Sequence, residues 1–221
     1  GGLMGIEDPT VKSAILWPTK PRFKYLKSYS DTSNATIYTF SDVYLGQPNP
    51  KLMTVFGVTC EGSNAVSSIV INGSLSATLA ITSGSNARSA ELWYALTGNV
   101  AFGSVVVTFS GAATAAILHV WQGYPSRITP IDAVGDQGAS SPRTITDLAK
   151  TQGGFTCFCA KNNSAATAVI TGTGPESINN YFDATLESAA VSAHGFDNTV
   201  SSTADDYTAT FSVSTGCGVA G

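Results

Sequence analysis

Residues 104–111 read Ser-Val-Val-Val-Thr-Phe-Ser-Gly, and this stretch decides the fold class. It is uncharged, rich in β-branched side chains and ended by glycine, which predicts a buried β-strand. Its Thr-Phe-Ser segment recurs at 210–212, inside a second strand-like run, 207–213. A recurrence of this kind late in the chain indicates an internal repeat.

Three further pairs of segments support the repeat, because they keep the same order along the chain. They are 39–43 with 145–148, 52–56 with 155–158, and 89–93 with 188–192. Few residues within them are identical. We therefore predict two diverged quasi-repeated halves, at about 23–124 and 125–221, preceded by an extended N-terminal arm.

The rest of the chain has the pattern of short β-strands separated by turns. Asn72-Gly73 between two strand-like runs is the strongest hairpin signal, because both residues tolerate positive φ. Phe23, Tyr25, Lys27 and Tyr29 alternate and are expected on one face. The fold class predicted is all-β, an antiparallel β-sandwich or jelly-roll-like fold. The predicted strands are 36–45, 51–60, 67–71, 74–81, 91–96, 104–110, 116–121, 143–148, 154–161, 166–171, 191–196 and 207–213, with loops at 172–183 and 198–206.

The composition describes a weakly charged protein. Hydrophobic residues make up 43% of the 221 residues and charged residues 12%, against a usual charged fraction of about 25%. Such surfaces are typical of extracellular and virion β-proteins and of chains partly hidden in an assembly. No apolar run of about 18 residues predicts a membrane helix, and the first residues lack the pattern of a signal peptide.

The N-terminal arm, residues 1–22, differs from the body in charge and in proline content. Residues 1–27 hold five basic and two acidic side chains, a net +3, whereas the remainder has a net −7. Pro9, Pro18 and Pro21 disfavour regular structure. We expect the arm to dock onto an acidic partner through Trp17, Lys20 and Arg22, although Trp17 packing against its own domain is an equal alternative. The basic residues are too widely spaced to favour nucleic acid.

Four cysteines are candidates for disulfides: Cys60, Cys157, Cys159 and Cys217. Cys157 and Cys159 are two apart in a strand, so they share a face and do not bond each other easily. Buried thiols are the alternative. Cys217 is expected just beyond the last strand, from where it would reach a neighbouring copy. The spacing lacks the second close pair of a zinc site, so no metal is predicted.

The residues that usually carry catalysis show no recognisable arrangement. His119 and His194 are in strand-like settings and are interpreted as structural, and no nucleophile elbow, phosphate loop or zinc-protease motif occurs. Asp132 with Asp136, and Asp205 with Asp206, are either calcium ligands or solvated loop carboxylates, the latter being preferred. We predict no catalytic residue and no cofactor.

Aromatic side chains near the ends of strands offer a different possibility. Trp93, Trp121 and Tyr124 could form a platform on which sugar rings stack, or they could belong to the core. Core packing is the preferred interpretation, and carbohydrate is kept as an alternative ligand.

Four segments, 36–46, 66–73, 91–96 and 105–110, give the chain a resemblance to a known group. The chain resembles β-sandwich virion surface proteins of tailed bacteriophages and of prophages of alphaproteobacteria. The resemblance implies a non-enzymatic capsid decoration or linking protein on the virion exterior, made in the host cytoplasm. Its implied partners are the major capsid protein or other virion proteins, and neighbouring copies in a homo-oligomer, with no nucleic acid and no membrane. The alternatives are a collar or tail-fibre protein that binds host-surface carbohydrate and, more remotely, a glycan-active hydrolase.

Overall fold

The computed structural model describes ten segments of the chain: 23–62, 64–84, 90–125, 127–149, 156–162, 168–172, 179–183, 191–197, 205–212 and 217–221. The predicted docking arm, with Trp17, Lys20 and Arg22, lies outside these residues. Every regular element in the described segments is a β-strand, which confirms the all-β prediction. No helix in these segments has the length and apolar character needed to cross a membrane.

The described strands are short and joined by turns. In chain order they are β1 Phe23–Asp31, β2 Ala35–Tyr44, β3 Met53–Glu61, β4 Val66–Ile71, β5 Leu75–Ser76, β6 Thr78–Thr82, β7 Ala90–Leu96, β8 Phe102–Ala113, β9 Ala115–Gly123, β10 Gly135–Gly138, β11 Arg143–Leu148, β12 Thr156–Asn162, β13 Ala168–Gly172, β14 Asn179–Asp183, β15 Val191–Asp197, β16 Asp205–Phe211 and β17 Cys217–Ala220.

These strands form four antiparallel sheets. Sheet I has the order β2-β8-β4-β5, sheet II β1-β9-β3-β7-β6, sheet III β10-β17-β12-β15-β14 and sheet IV β11-β16-β13. One apolar core lies between sheets I and II, and another lies between sheets III and IV. A third cluster, which includes Trp121 and Cys159, joins sheets II and III. The molecule is therefore two β-sandwiches stacked in four layers, with sheets II and III in the middle.

The central position of sheet II explains why its middle strands lack the usual alternation of apolar and polar residues. Every residue of β9 is buried, as are the first eight residues of β3. Phe56 and Leu118 face the first core, whereas Val55 and Trp121 face sheet III. A sheet covered on both faces needs apolar or small side chains at successive positions.

The two sandwiches share one topology. Strands β1–β4 correspond in order to β10–β13, and β6–β9 correspond to β14–β17. In the first sandwich β5 and β6 form one nearly continuous strand that leaves sheet I at Ala77 and enters sheet II. The resulting orders β2-β8-β4-β5 and β1-β9-β3-β7 are those of a jelly roll. The prediction of a jelly-roll-like fold built from two quasi-repeated halves is confirmed.

The strand registers show that the two halves correspond residue by residue. Phe40 pairs with Val105 in the first sandwich, and Ile145 pairs with Tyr207 in the second. In both strands the ladder is interrupted immediately afterwards, before Val43 in β2 and before Leu148 in β11. Asp42 and Asp147, at the equivalent interruptions, have φ of 51° and 56°. The Ser-Asp and Thr-Asp pairs of the sequence repeat are thus the same bulge in two copies.

Buried positions follow the sequence prediction closely. The six residues predicted to be in the core are all buried: Val55, Ile71, Leu92, Val107, Phe109 and Phe211. The Asn72-Gly73 hairpin is confirmed, with φ of 50° and 71° at its two turn residues.

Several predictions about strands were wrong. The run 74–81 is not one strand, because it changes sheets at Ala77. A bulge at Leu26 turns Lys27 and Tyr29 toward the face opposite to that of Phe23 and Tyr25. Part of the predicted loop 172–183 is β14, and β10 and β17 were not predicted. The aligned pair 89–93 and 188–192 is out of step, because the ladders place Trp93 and Gly195 opposite equivalent positions of β3 and β12.

Candidate functional site

Glu91, on β7, is a buried acid whose side chain is 2% exposed. Its carboxylate accepts hydrogen bonds from two donors. One carboxylate oxygen accepts from the backbone N–H of Val66 on sheet I, and the other accepts from the indole N–H of Trp93, each at 2.9 Å. Burial raises the pKa of Glu91, while the two hydrogen bonds act in the opposite direction. Glu91 thus ties sheet II to sheet I, which is a structural role.

Lys161 on β12 provides a second buried charge, at the junction between the two sandwiches. Its side chain is fully buried, and Nζ donates to the carbonyl of Gly62 in the first sandwich at 3.2 Å. Burial lowers the pKa of Lys161, and the nearby Cys60 and Glu61 partly offset this effect. A basic side chain therefore links the two halves of the molecule.

All four cysteines lie in described strands, and none of them forms a disulfide. Cys60 Sγ donates to the carbonyl of Asn64, and Cys217 Sγ donates to Oδ1 of Asn162. Cys157 is half-buried, and burial raises its pKa to about 12. Cys157 and Cys159 share a face, as predicted.

The expected position of Cys217 was wrong. It is the first residue of β17, not part of a tail beyond the last strand, and it is fully buried in the core of the second sandwich. Hydrogen bonding to β12 holds it there, so it does not reach a neighbouring copy from this position.

The other candidate residues occupy supporting positions. His119 is fully buried on β9, 6.1 Å from the ring of Trp121. Asp132 accepts from the backbone N–H groups of Ala133 and Ala149, and Asp136 lies 3.7 Å from Arg143. No group of three or more metal-ligating side chains is found within the described segments.

Two of the predicted sugar-stacking residues lie in cores. Trp93 is 7% exposed and faces sheet I, and Trp121 is fully buried at the junction. Neither ring presents a face to solvent, so the structure gives no support to a platform built on them. Tyr124 is half-buried at the surface, and its hydroxyl donates to the carbonyl of Gln47 at 3.0 Å.

An aromatic pair that the sequence analysis did not single out lies on sheet I. Phe102 is 60% exposed, and its ring centroid is 5.0 Å from that of Tyr44 on the neighbouring strand. Their alternation within strands could have identified them, since Val43 and Val105 point inward on the same strands.

The outer face of sheet I mixes apolar side chains with hydroxyl groups, because Thr39, Ser104 and Thr108 point away from the core on the same strands. Ile37 is 57% exposed, and Val106 and Val70 are half-buried in the next row across the sheet, beside Thr39. Among the described residues that β2, β4 and β8 expose on this side, the only charged one is Asp42, at the bulge.

The equivalent face of sheet IV differs in one row of residues. The row across sheet I contains Thr39, Val106 and Val70, and the equivalent row across sheet IV contains Thr144, Thr208 and Thr171. The hydroxyls of Thr144 and Thr208 lie 2.9 Å apart, and Asp206 accepts from the backbone N–H of Asp147. In this row two valines of sheet I thus correspond to two threonines of sheet IV, whereas in the next row Ser68 of sheet I corresponds to Val169 of sheet IV.

Comparisons with known protein families, with curated proteins and with solved structures find no match to this chain.

Proposed function

We propose that this chain is a non-enzymatic structural protein of a bacteriophage virion surface, of the kind that decorates or links capsid subunits. The observation that carries the proposal is the duplicated jelly roll, stacked in four layers. Jelly rolls recur in viral capsid and lectin domains. Inferring a role from the fold is an analogy, and the resemblance of about residues 25–221, strongest from 36 to 124, to phage surface proteins supports it.

The buried polar groups favour a scaffold over a reaction site. Glu91 and Lys161 each join two layers of the molecule. Cys60 and Cys217 donate to neighbouring oxygen atoms inside the cores. These four side chains thus hold the layers and cores together, while the low charged fraction of 12% suits a protein that hides surface in an assembly.

Quantitative mass spectrometry of purified virions tests this proposal. A decoration or linking protein repeats with the capsid lattice and would be present in copy numbers similar to those of the major capsid protein. A collar or fibre protein would be present at about a dozen copies or fewer, as the symmetry of a single vertex allows. Absence from purified virions would contradict both roles.

A collar or tail-fibre protein that binds host-surface carbohydrate is the second candidate. The exposed pair Tyr44 and Phe102 favours it, because aromatic faces stack on sugar rings and Phe102 is 60% exposed. A glycan array with the intact chain would show specific binding that is lost in Phe102→Ala. Leu96→Ala is the matched control, because Leu96 is an apolar side chain that is 47% exposed at the end of β7, on another sheet.

A further inference from the structure

Three aromatic side chains adjoin at one end of the first sandwich, and we call Tyr44, Phe102 and Tyr124 the end surface. The rings of Tyr44 and Phe102 have centroids 5.0 Å apart, and Phe102 is 60% exposed. The hydroxyl of Tyr124 donates to the carbonyl of Gln47, in the loop that follows Tyr44, at 3.0 Å. Burial raises the pKa of Tyr124, and the neighbouring phenol of Tyr44 raises it further. The three side chains therefore form one continuous aromatic surface.

The N-terminal arm joins the described molecule at this same end. Phe23, the first residue of β1, pairs with Gly123, which directly precedes Tyr124. Two loops, 45–52 and 97–101, connect this end of sheet II to the end of sheet I that holds the other two residues of the end surface. Because β1 runs away from this end, the arm reaches β1 from the side of the end surface.

The arm carries an apolar segment within reach of these rings. Residues 14–17 read Ala-Ile-Leu-Trp, and Trp17 precedes Phe23 by six residues. Six extended residues span about 20 Å, whereas the two sheets of a sandwich lie about 10 Å apart. Trp17 can therefore reach Phe102 on sheet I from the start of β1 on sheet II. Two of the intervening residues are prolines, whose fixed φ lowers the entropy lost when the connection is ordered.

We propose that the apolar segment 14–17 of the arm packs on the end surface of its own chain, with Trp17 against the rings of Tyr44 and Phe102. Aromatic rings attract one another in stacked and edge-on arrangements, and more than half of the Phe102 side chain is accessible to a further ring. The end surface has no charged side chain, which suits an apolar segment. Tethering favours this occupant over the arm of a second copy, because a segment attached beside its site has an effective concentration of roughly millimolar.

The contact should be reversible, because it requires the connecting residues to be ordered. Their loss of backbone entropy offsets much of the gain from burying a tryptophan. Trp17 cannot lie on the end surface and in a partner at the same time. Docking of the arm onto a particle would therefore uncover Tyr44 and Phe102, and a ligand that stacks on these rings would compete with the arm. The inference concerns the isolated chain and does not rest on its presence in virions.

Fluorine NMR of the intact chain labelled with 5-fluorotryptophan tests the proposal. The chain contains three tryptophans, and the signal of Trp17 is the one that disappears in Trp17→Phe. We expect this signal to differ from its position in the urea-unfolded chain and to move toward that position in Phe102→Ala. Since Phe102 is exposed, its removal should leave the fold intact. Unchanged signals of the buried Trp93 and Trp121 would verify this.

Ile37→Ala is the matched control, because Ile37 is an apolar side chain on the same sheet, 57% exposed and seven residues before Tyr44 in β2. It should leave the Trp17 signal unchanged. A Trp17 signal that coincides with that of the unfolded chain would overturn the proposal. So would a signal that is unmoved by Phe102→Ala, or one that responds equally to Ile37→Ala, because Trp17 would then not lie on the end surface. A signal that changes on dilution would also overturn it, since a contact within one chain is independent of concentration, and the arm of a second copy would be the occupant.

Discussion

At the scale of single residues, Glu91 shows how a carboxylate is used inside this fold. Its two oxygens accept hydrogen bonds from Val66 and Trp93, so removal of the side chain leaves two buried donors without an acceptor. We expect Glu91→Ala to lower the free energy of unfolding by about 1–3 kcal/mol for each donor left unsatisfied. Urea unfolding at neutral pH measures this, and a loss below about 0.5 kcal/mol would contradict the assignment.

The pKa of Glu91 adds a prediction about pH. Burial raises the pKa in the folded protein above the ordinary value of 4.5, so the folded state binds the proton more tightly than the unfolded chain does. The resulting stability is fully present below pH 4.5 and is lost as the pH rises through the raised pKa. Thermal melts over this range should show a decline in the wild type that is smaller in Glu91→Gln, which does not ionise. An identical pH dependence in both proteins would contradict a raised pKa of Glu91 in the folded state.

At the scale of strands, β8 and β16 are the central strands of the outer sheets I and IV. Each places one phenylalanine in the core of its own sandwich. Phe109 is 2% exposed and packs edge-on against Tyr38 at 5.6 Å, and Phe211 is 5% exposed in the second core. Either Phe→Ala change should destabilise the protein by about 3–5 kcal/mol. Phe102→Ala, on the same strand as Phe109 but 60% exposed, is the control and should cost under about 0.5 kcal/mol. Losses below about 1 kcal/mol for both core changes would contradict the register.

The strands also show what sequence reasoning reaches and what it does not. β8 and β16 were predictable because a strand with one buried face alternates, and the repeated Thr-Phe-Ser marked them as equivalent. β10 and β17 were not, because Gly-Asp-Gln-Gly and Cys-Gly-Val-Ala have little strand propensity, and their strand state depends on tertiary pairing.

At the scale of the whole molecule, the two sandwiches meet where β3 lacks a side chain. A Cβ at Gly57 would lie 2.9 Å from the six-membered ring of Trp121 and 3.2 Å from Cys159 Cβ. Gly57→Ala should therefore cost about 1–3 kcal/mol by overpacking the junction. Because Trp121→Phe removes the ring atoms in the way, the same change should cost clearly less in that background. Equal costs in both backgrounds, measured by urea unfolding, would show that the junction does not constrain Gly57.

The N-terminal arm gives the last prediction at this scale. Among the described residues, those of both sandwich cores and of the junction lie from Phe23 onward, and β1 begins at that residue. We therefore expect a chain lacking residues 1–22 to keep the unfolding temperature of the full protein.

The arm holds Lys20 and Arg22 together with Trp17, whereas the body has a net charge of −7 from residue 28 onward. We predict that the truncated chain no longer attaches to particles that lack the protein, as measured by co-sedimentation. Trp17→Ala and the pair Lys20→Ala with Arg22→Ala separate the apolar from the electrostatic contribution, since only the charge-dependent part of binding weakens with added salt. Undiminished binding by the truncated chain would show that the body alone makes the interface.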